Sequence, residues 1–108
     1  LIKLRVFRPF PGEELAAVLS HVKAVAVMDK SEGFSACGGP IYAETCAACY
    51  ALENRPIMVN IVYGLGGRDV ATGDIAKVFD HLFLLVNNGG QGPKYIHMGQ
   101  RSSAPEVF

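Results

Sequence analysis

Apolar positions gather in groups along the chain, and their spacing predicts alternating strands and helices. Ile2, Leu4, Val6 and Phe7 approach a two-residue alternation, which predicts a first strand over LIKLRVF. Pro9 and Pro11 end it, because neither can donate to a ladder and each restricts the residue before it. Leu15, Val18, Leu19 and Val22 then recur at helical spacing, with Glu13 and Glu14 where they favour the helix dipole. Ala24 to Met28 is a short continuous apolar run, the pattern of a strand buried on both faces. After the loop DKSEGFSACGGP a helix is predicted from about Pro40 to Glu53, broken by Asn54, Arg55 and Pro56. IMVNIVY reads as the next strand. Thr72 is placed to cap the helix after it, with Asp74 in the first turn and Ile75, Val78, Phe79, Leu82 and Val86 on one face. NNGGQGP stops that helix.

Strands alternating with helices imply a mainly parallel sheet with helices packed on it, a three-layer α/β/α architecture. Residues 1–86 read as one α/β domain, and residues 87–108 as a C-terminal tail with one short candidate strand, Tyr95 to Met98. The helix from Pro40 is unusual in being apolar nearly all round. Ile41, Thr45, Ala48 and Leu52 make one stripe, Tyr42, Cys46 and Cys49 the next, and Ala43, Ala47, Tyr50 and Ala51 cover much of the rest. Such a helix is buried on more than one side. In a chain of 108 residues the extra cover is expected from another domain or subunit.

Composition narrows the function classes. The chain is half hydrophobic, enough for a core, and its ten basic and ten acidic side chains cancel without any block of like charge. That excludes the clustered Lys and Arg of a nucleic-acid or anionic-membrane surface. No apolar run approaches the roughly 18–20 residues that span a bilayer, and no basic-then-apolar start reads as a signal peptide. Three cysteines, an odd count, argue against a closed disulfide framework and for a reducing, cytoplasmic setting. The chain opens on Leu1 within a strand-like pattern, which predicts a piece of a longer polypeptide.

In an open parallel sheet, ligands and partners meet the carboxyl ends of the strands. Three segments are expected there: Arg8 to Pro11, Asp29 to Pro40, and Gly64 to Val70. The last contains GLGGRDV. A dinucleotide fingerprint would need a glycine where Asp69 stands, and a P-loop would need Gly-Lys-Ser/Thr. Its glycines are read instead as a shaped turn that lets another surface approach. Cys46 and Cys49 have the spacing of redox and metal pairs, but a zinc or iron–sulfur site usually needs four ligands. Both thiols also lie inside a helix rather than at its N-terminus, so they are read as small buried groups. His21, His81 and His97 have no partner at triad spacing. No catalytic, cofactor-binding or metal-ligating residue is assigned. Interface residues are: Arg8, Phe10, Tyr42, Gly64, Gly66, Gly67, Arg68 and Asp69.

FRPFP, VAVMDKSEGFSACGGPIYAE, and IVYGLGGRDV followed by DIAKVFDHL together resemble the 2-oxoacid:ferredoxin oxidoreductase family. The likeness covers about Leu1 to Leu82 and falls on the transketolase-C-terminal-like second domain of the α subunit. It implies part of an enzyme of anaerobic metabolism that oxidatively decarboxylates pyruvate to acetyl-CoA, or runs the reverse. A branched-chain 2-oxoacid is the alternative substrate, and a free-standing small-ligand or nucleotide module the alternative class. The resemblance implies thiamine diphosphate with Mg2+, iron–sulfur clusters, coenzyme A as substrate and ferredoxin as electron partner. All of these are expected outside this chain, whose own role is then structural. It also implies a further strand and helix ahead of the segment that begins here, and no family cofactor ligand transfers to a residue of this chain.

Overall fold

A computed structural model describes residues 1–30, 38–64 and 70–98. Three helices and three strands alternate: α1 (Gly12–Leu19), β1 (Ala24–Asp29), α2 (Pro40–Cys49), β2 (Ile57–Val62), α3 (Thr72–Asn87) and β3 (Tyr95–His97). The strands form one parallel sheet in the order β1-β2-β3, with Ala24 opposite Ile57 and Asn60 opposite Tyr95. The α/β class and parallel sheet expected from the pattern are therefore present.

Successive side chains on a strand point to opposite faces, and here that alternation sorts the core into two parts. On one face Val59, Ile61, Ile96 and Met98 pack with Val78 and Leu85 of α3, joined by Ala26 and Met28. On the other, Val25 joins Leu15 and Leu19 of α1 and Cys49 of α2. α2 thus lies between the sheet and α1. α1 covers a second side of α2 from within the domain, while Ala47 and Tyr50 stay exposed. The small side chains on both helices explain the fit: a Cβ added at Gly12 would sit 3.4 Å from the Cβ of Ala48.

Several boundaries differ from the pattern. Leu1–Phe7 forms no strand, and Leu1, Ile2, Val6 and Phe7 are exposed. Alternation specifies which side chains would share a face, but a strand also needs a neighbour to bond. α2 stops at Cys49, four residues before Glu53, because nothing buries Tyr50, Ala51 or Glu53. The buried row of α3 is Val78, His81 and Leu85, while Phe79 is 48% exposed. The sheet therefore covers an arc rotated from the row of Ile75, Val78, Phe79, Leu82 and Val86.

Thr72 is the first residue of α3 and not its cap; Ala71 holds that place, and its N–H donates to Asp74 Oδ2 at 3.0 Å. At the other end Gly89 and Gly90 have positive φ. Their N–H groups return to Val86 O and Leu85 O at 3.4 and 2.7 Å, the paired bonds of a Schellman stop. β3 falls in the segment that the sequence assigns to the tail, yet Ile96 and Met98 are core residues.

Candidate functional site

A buried polar cluster stands where the carboxyl ends of β1 and β2 meet the start of α2. Asp29 closes the apolar run of β1 and is 1% exposed; Asn60 interrupts the apolar run of β2 and is 0% exposed. A buried polar group must find partners or cost stability, and these two find theirs in each other and in the α2 N-terminus. The N–H groups of Ile41 and Tyr42 donate to Asp29 Oδ1 and Oδ2 at 2.8 and 3.0 Å. Asn60 Nδ2 donates to Asp29 Oδ2 at 3.0 Å and to Val27 O at 3.1 Å. Asn60 Oδ1 in turn accepts from the Gly39 N–H at 2.8 Å.

The Gly-Gly-Pro that opens α2 follows from this cluster. Gly38 has φ +91, and a Cβ on it would lie 2.8 Å from Asn60 Oδ1 and 3.0 Å from Tyr42 Cδ2. Gly39 has an ordinary extended backbone, φ −70 and ψ 163, but a Cβ there would overlap the Asp29 carboxyl group. Pro40 then starts the helix at a position where no backbone N–H is needed. The carboxyl group of Asp29 occupies the place an anion takes at a helix N-terminus. At α3 the contact is local: Asp74, in the first turn, accepts from the N–H of Ala71.

The interface residues expected from the sequence are spread around this cluster. Arg8 Nη2 pairs with Glu44 Oε1 of α2 at 2.9 Å, a largely exposed contact of little energetic weight. Phe10 packs on the Leu15, Leu19 and Cys49 cluster. Tyr42 lies half-buried beside Gly38, and Gly64, with φ +72, lies under the Lys30 side chain. Gly66, Gly67, Arg68 and Asp69 lie outside the described residues, as does Cys37. Asn60 is the residue that sequence reasoning missed. The signal was present, since a lone asparagine within IMVNIV has no reason to be there unless it is bonded.

Among the described residues no group of three His, Cys, Asp or Glu side chains could hold a metal ion. Of the α2 thiols, Cys49 is buried in the α1–α2 core and Cys46 is half-buried. Burial, and then the neighbouring Cys46, push the Cys49 thiol up. Burial, and then a hydrogen bond with Cys46, push the Tyr42 hydroxyl up to about 12. The folded chain thus holds the Tyr42 proton to higher pH than the unfolded chain does. This contribution is complete below the ordinary tyrosine value of about 10 and is lost as pH rises through about 12. Urea midpoints measured across that window should fall more steeply for the natural chain than for Tyr42→Phe; equal slopes would contradict this.

The pyruvate:ferredoxin oxidoreductase core domain II model matches residues 1–75. The chain belongs to that family. Among relatives, the ketoisovalerate oxidoreductase subunit VorA of Pyrococcus furiosus is 39% identical over 87 residues, 81% of this chain and 22% of the relative. The pyruvate synthase subunit PorA of Thermotoga maritima is 40% identical over 79 residues, 73% of this chain and 20% of the relative. The NADH-dependent phenylglyoxylate dehydrogenase subunit alpha of Aromatoleum evansii is 38% identical over 87 residues, 81% and 21% respectively. The chain therefore spans about a fifth of the length of the curated relatives it matches. No helix among the described residues is long and apolar enough to cross a membrane.

Proposed function

We propose that this chain is a non-catalytic structural domain of a 2-oxoacid:ferredoxin oxidoreductase that converts pyruvate to acetyl-CoA or runs the reverse. The observation that carries the structural role is the internal use of the α2 N-terminus at the strand ends. Asp29 takes the amides of Ile41 and Tyr42 at the start of α2, so the position there that attracts a diphosphate already holds a carboxyl group. Thiamine diphosphate, Mg2+, the iron–sulfur clusters and coenzyme A belong, on this reading, to other parts of the enzyme, with ferredoxin as the electron partner and the cytoplasm as the setting. Family membership over residues 1–75 supports it.

A branched-chain 2-oxoacid is a second reading, favoured by the 39% identity to the ketoisovalerate subunit. Relatives named for three different 2-oxoacids match to within two percentage points, as expected if substrate choice is made outside this domain.

The test is Arg68→Ala in the assembled enzyme. Arg68 is read as a contact to a neighbouring domain or subunit, so assembly should weaken while nucleotide and coenzyme A affinity of the assembled fraction stay the same. Intact assembly with lost ligand affinity would replace this reading by the nucleotide-binding one.

A further inference from the structure

We propose that Asn88 is a site of spontaneous covalent modification: the Gly89 nitrogen displaces its side-chain ammonia, and the succinimide formed opens to aspartate or isoaspartate. Neither the oxidoreductase reading nor the cover of the domain enters, because the reacting atoms belong to two neighbouring residues. The chain has four asparagines, Asn54, Asn60, Asn87 and Asn88, and the last alone is followed by glycine. A side chain on the following residue crowds the attacking nitrogen; a hydrogen in its place does not.

The end of α3 holds this pair where the reaction needs little rearrangement. Asn88 caps the helix with φ −100 and ψ 18, and its own N–H donates to Leu84 O at 3.0 Å. At that ψ the Gly89 nitrogen lies nearly opposite the Asn88 Cβ across the Cα–C bond, out of reach of Cγ. Rotating the single peptide plane between the two residues by about half a turn brings the nitrogen to the side-chain side. The rotation reverses φ of Gly89 from +64, a change that glycine accepts because it populates both signs. It breaks two long bonds, Gly89 N–H to Val86 O at 3.4 Å and Gln91 N–H to Asn88 O at 3.2 Å. The bonds from Asn88 N–H to Leu84 O and from Gly90 N–H to Leu85 O, the latter 2.7 Å, stay in place. Among the described residues a Cβ at Gly89 would meet nothing within 4 Å, which leaves room for the ring. Asn60 is the opposite case. Its amide is buried within β2, bonded to Asp29, Val27 and Gly39, and followed by Ile61.

The chemistry balances with water alone. Base takes the Gly89 N–H proton, the N–Cγ bond forms, and the Cγ–Nδ2 bond breaks as ammonia leaves with a proton from water. Water then opens the ring at Cγ to give aspartate, or at the main-chain carbonyl to give isoaspartate, whose chain runs through Cβ. Both products place a carboxylate at the negative end of α3, where the last turn has no basic residue. Isoaspartate also adds a backbone atom ahead of the buried Gly90, whose Cβ position lies 3.7 Å from Ile57 Cδ1. The stop of α3 is thereby loosened.

The test is to hold the assembled enzyme in mildly alkaline buffer and sample it over days. Digestion at acid pH halts the reaction during preparation, and electron-based fragmentation separates isoaspartate from aspartate. The expected result is progressive conversion at Asn88 with isoaspartate in excess, at a rate that rises with hydroxide, and no comparable change at Asn54, Asn60 or Asn87. Gly89→Ala should slow the conversion several-fold, because the methyl group crowds the nitrogen and opposes the rotation. An Asn88 that stays intact, or aspartate formed without isoaspartate, would overturn the proposal. Conversion as fast in Gly89→Ala as in the natural enzyme would overturn it as well.

Discussion

Asp29→Ala is expected to cost about 3–4 kcal/mol of folding stability, the largest effect of a side-chain truncation in this chain. The substitution takes the acceptor from the N–H groups of Ile41 and Tyr42 together, and from one bond of the buried Asn60 amide. Each orphaned buried donor costs about 1–3 kcal/mol, and no cation stands among these partners whose release could offset the loss. Because a domain of this size is stable by only about 5–15 kcal/mol, the variant should lose a large part of that margin. Asp29→Asn separates shape from chemistry. It keeps the volume but turns an NH2 group toward N–H donors, so it should recover little. Urea unfolding of the three proteins is the measurement; an Asn variant as stable as the natural chain would show that filling the space, not accepting bonds, is what matters.

Gly39→Ala is expected to cost about 2–3 kcal/mol although the backbone there is open to any residue. At φ −70 no conformational strain is involved. The added methyl group would instead overlap the Asp29 carboxyl group and come within 2.6 Å of its Cβ, in a place where the carboxyl is already held by three donors. Relief requires moving either β1 or the first turn of α2, and both moves lengthen the bond from Gly39 N–H to Asn60. Gly73→Ala is the control. A Cβ at that position in the first turn of α3 meets nothing within 4 Å, so the change should be neutral or stabilise slightly through helix propensity. Equal losses at Gly39 and Gly73 in thermal unfolding would reject close approach as the cause.

Both predictions concern a feature only half visible in the chain as written. Gly-Gly-Pro and a terminal aspartate could be quoted as a pattern, but spacing alone gives no reason why Asp29, ten residues before Gly39, should touch it. Asn60 lies a further twenty-one residues on, and only the pairing of Val27 with Asn60 in the parallel ladder brings the two polar side chains to one point. The residues expected from the sequence at an interface show the same limit. Arg8 and Tyr42 stand out by type, but the partners they find, Glu44 and Cys46, depend on how the entering segment and α2 lie against the sheet.

What the amino-acid order determined by itself was the succession of elements from α1 onward, the parallel α/β class and the stop of α3. Those follow from local causes: apolar period, proline's missing donor, and glycine's tolerance of positive φ at Gly89 and Gly90. Tertiary structure decided the rest. It left LIKLRVF without a ladder, because a strand requires a neighbour's N–H and C=O groups in addition to its own pattern. It gave α2 its second covered face from α1, and it turned α3 so that Val78, His81 and Leu85, not Phe79, meet the sheet. Periodicity says that a helix has an apolar side, but how much of that side is buried is set by the width of the sheet beneath it. Among the described residues the sheet has three strands, and Phe79 on the apolar row of α3 is left 48% exposed.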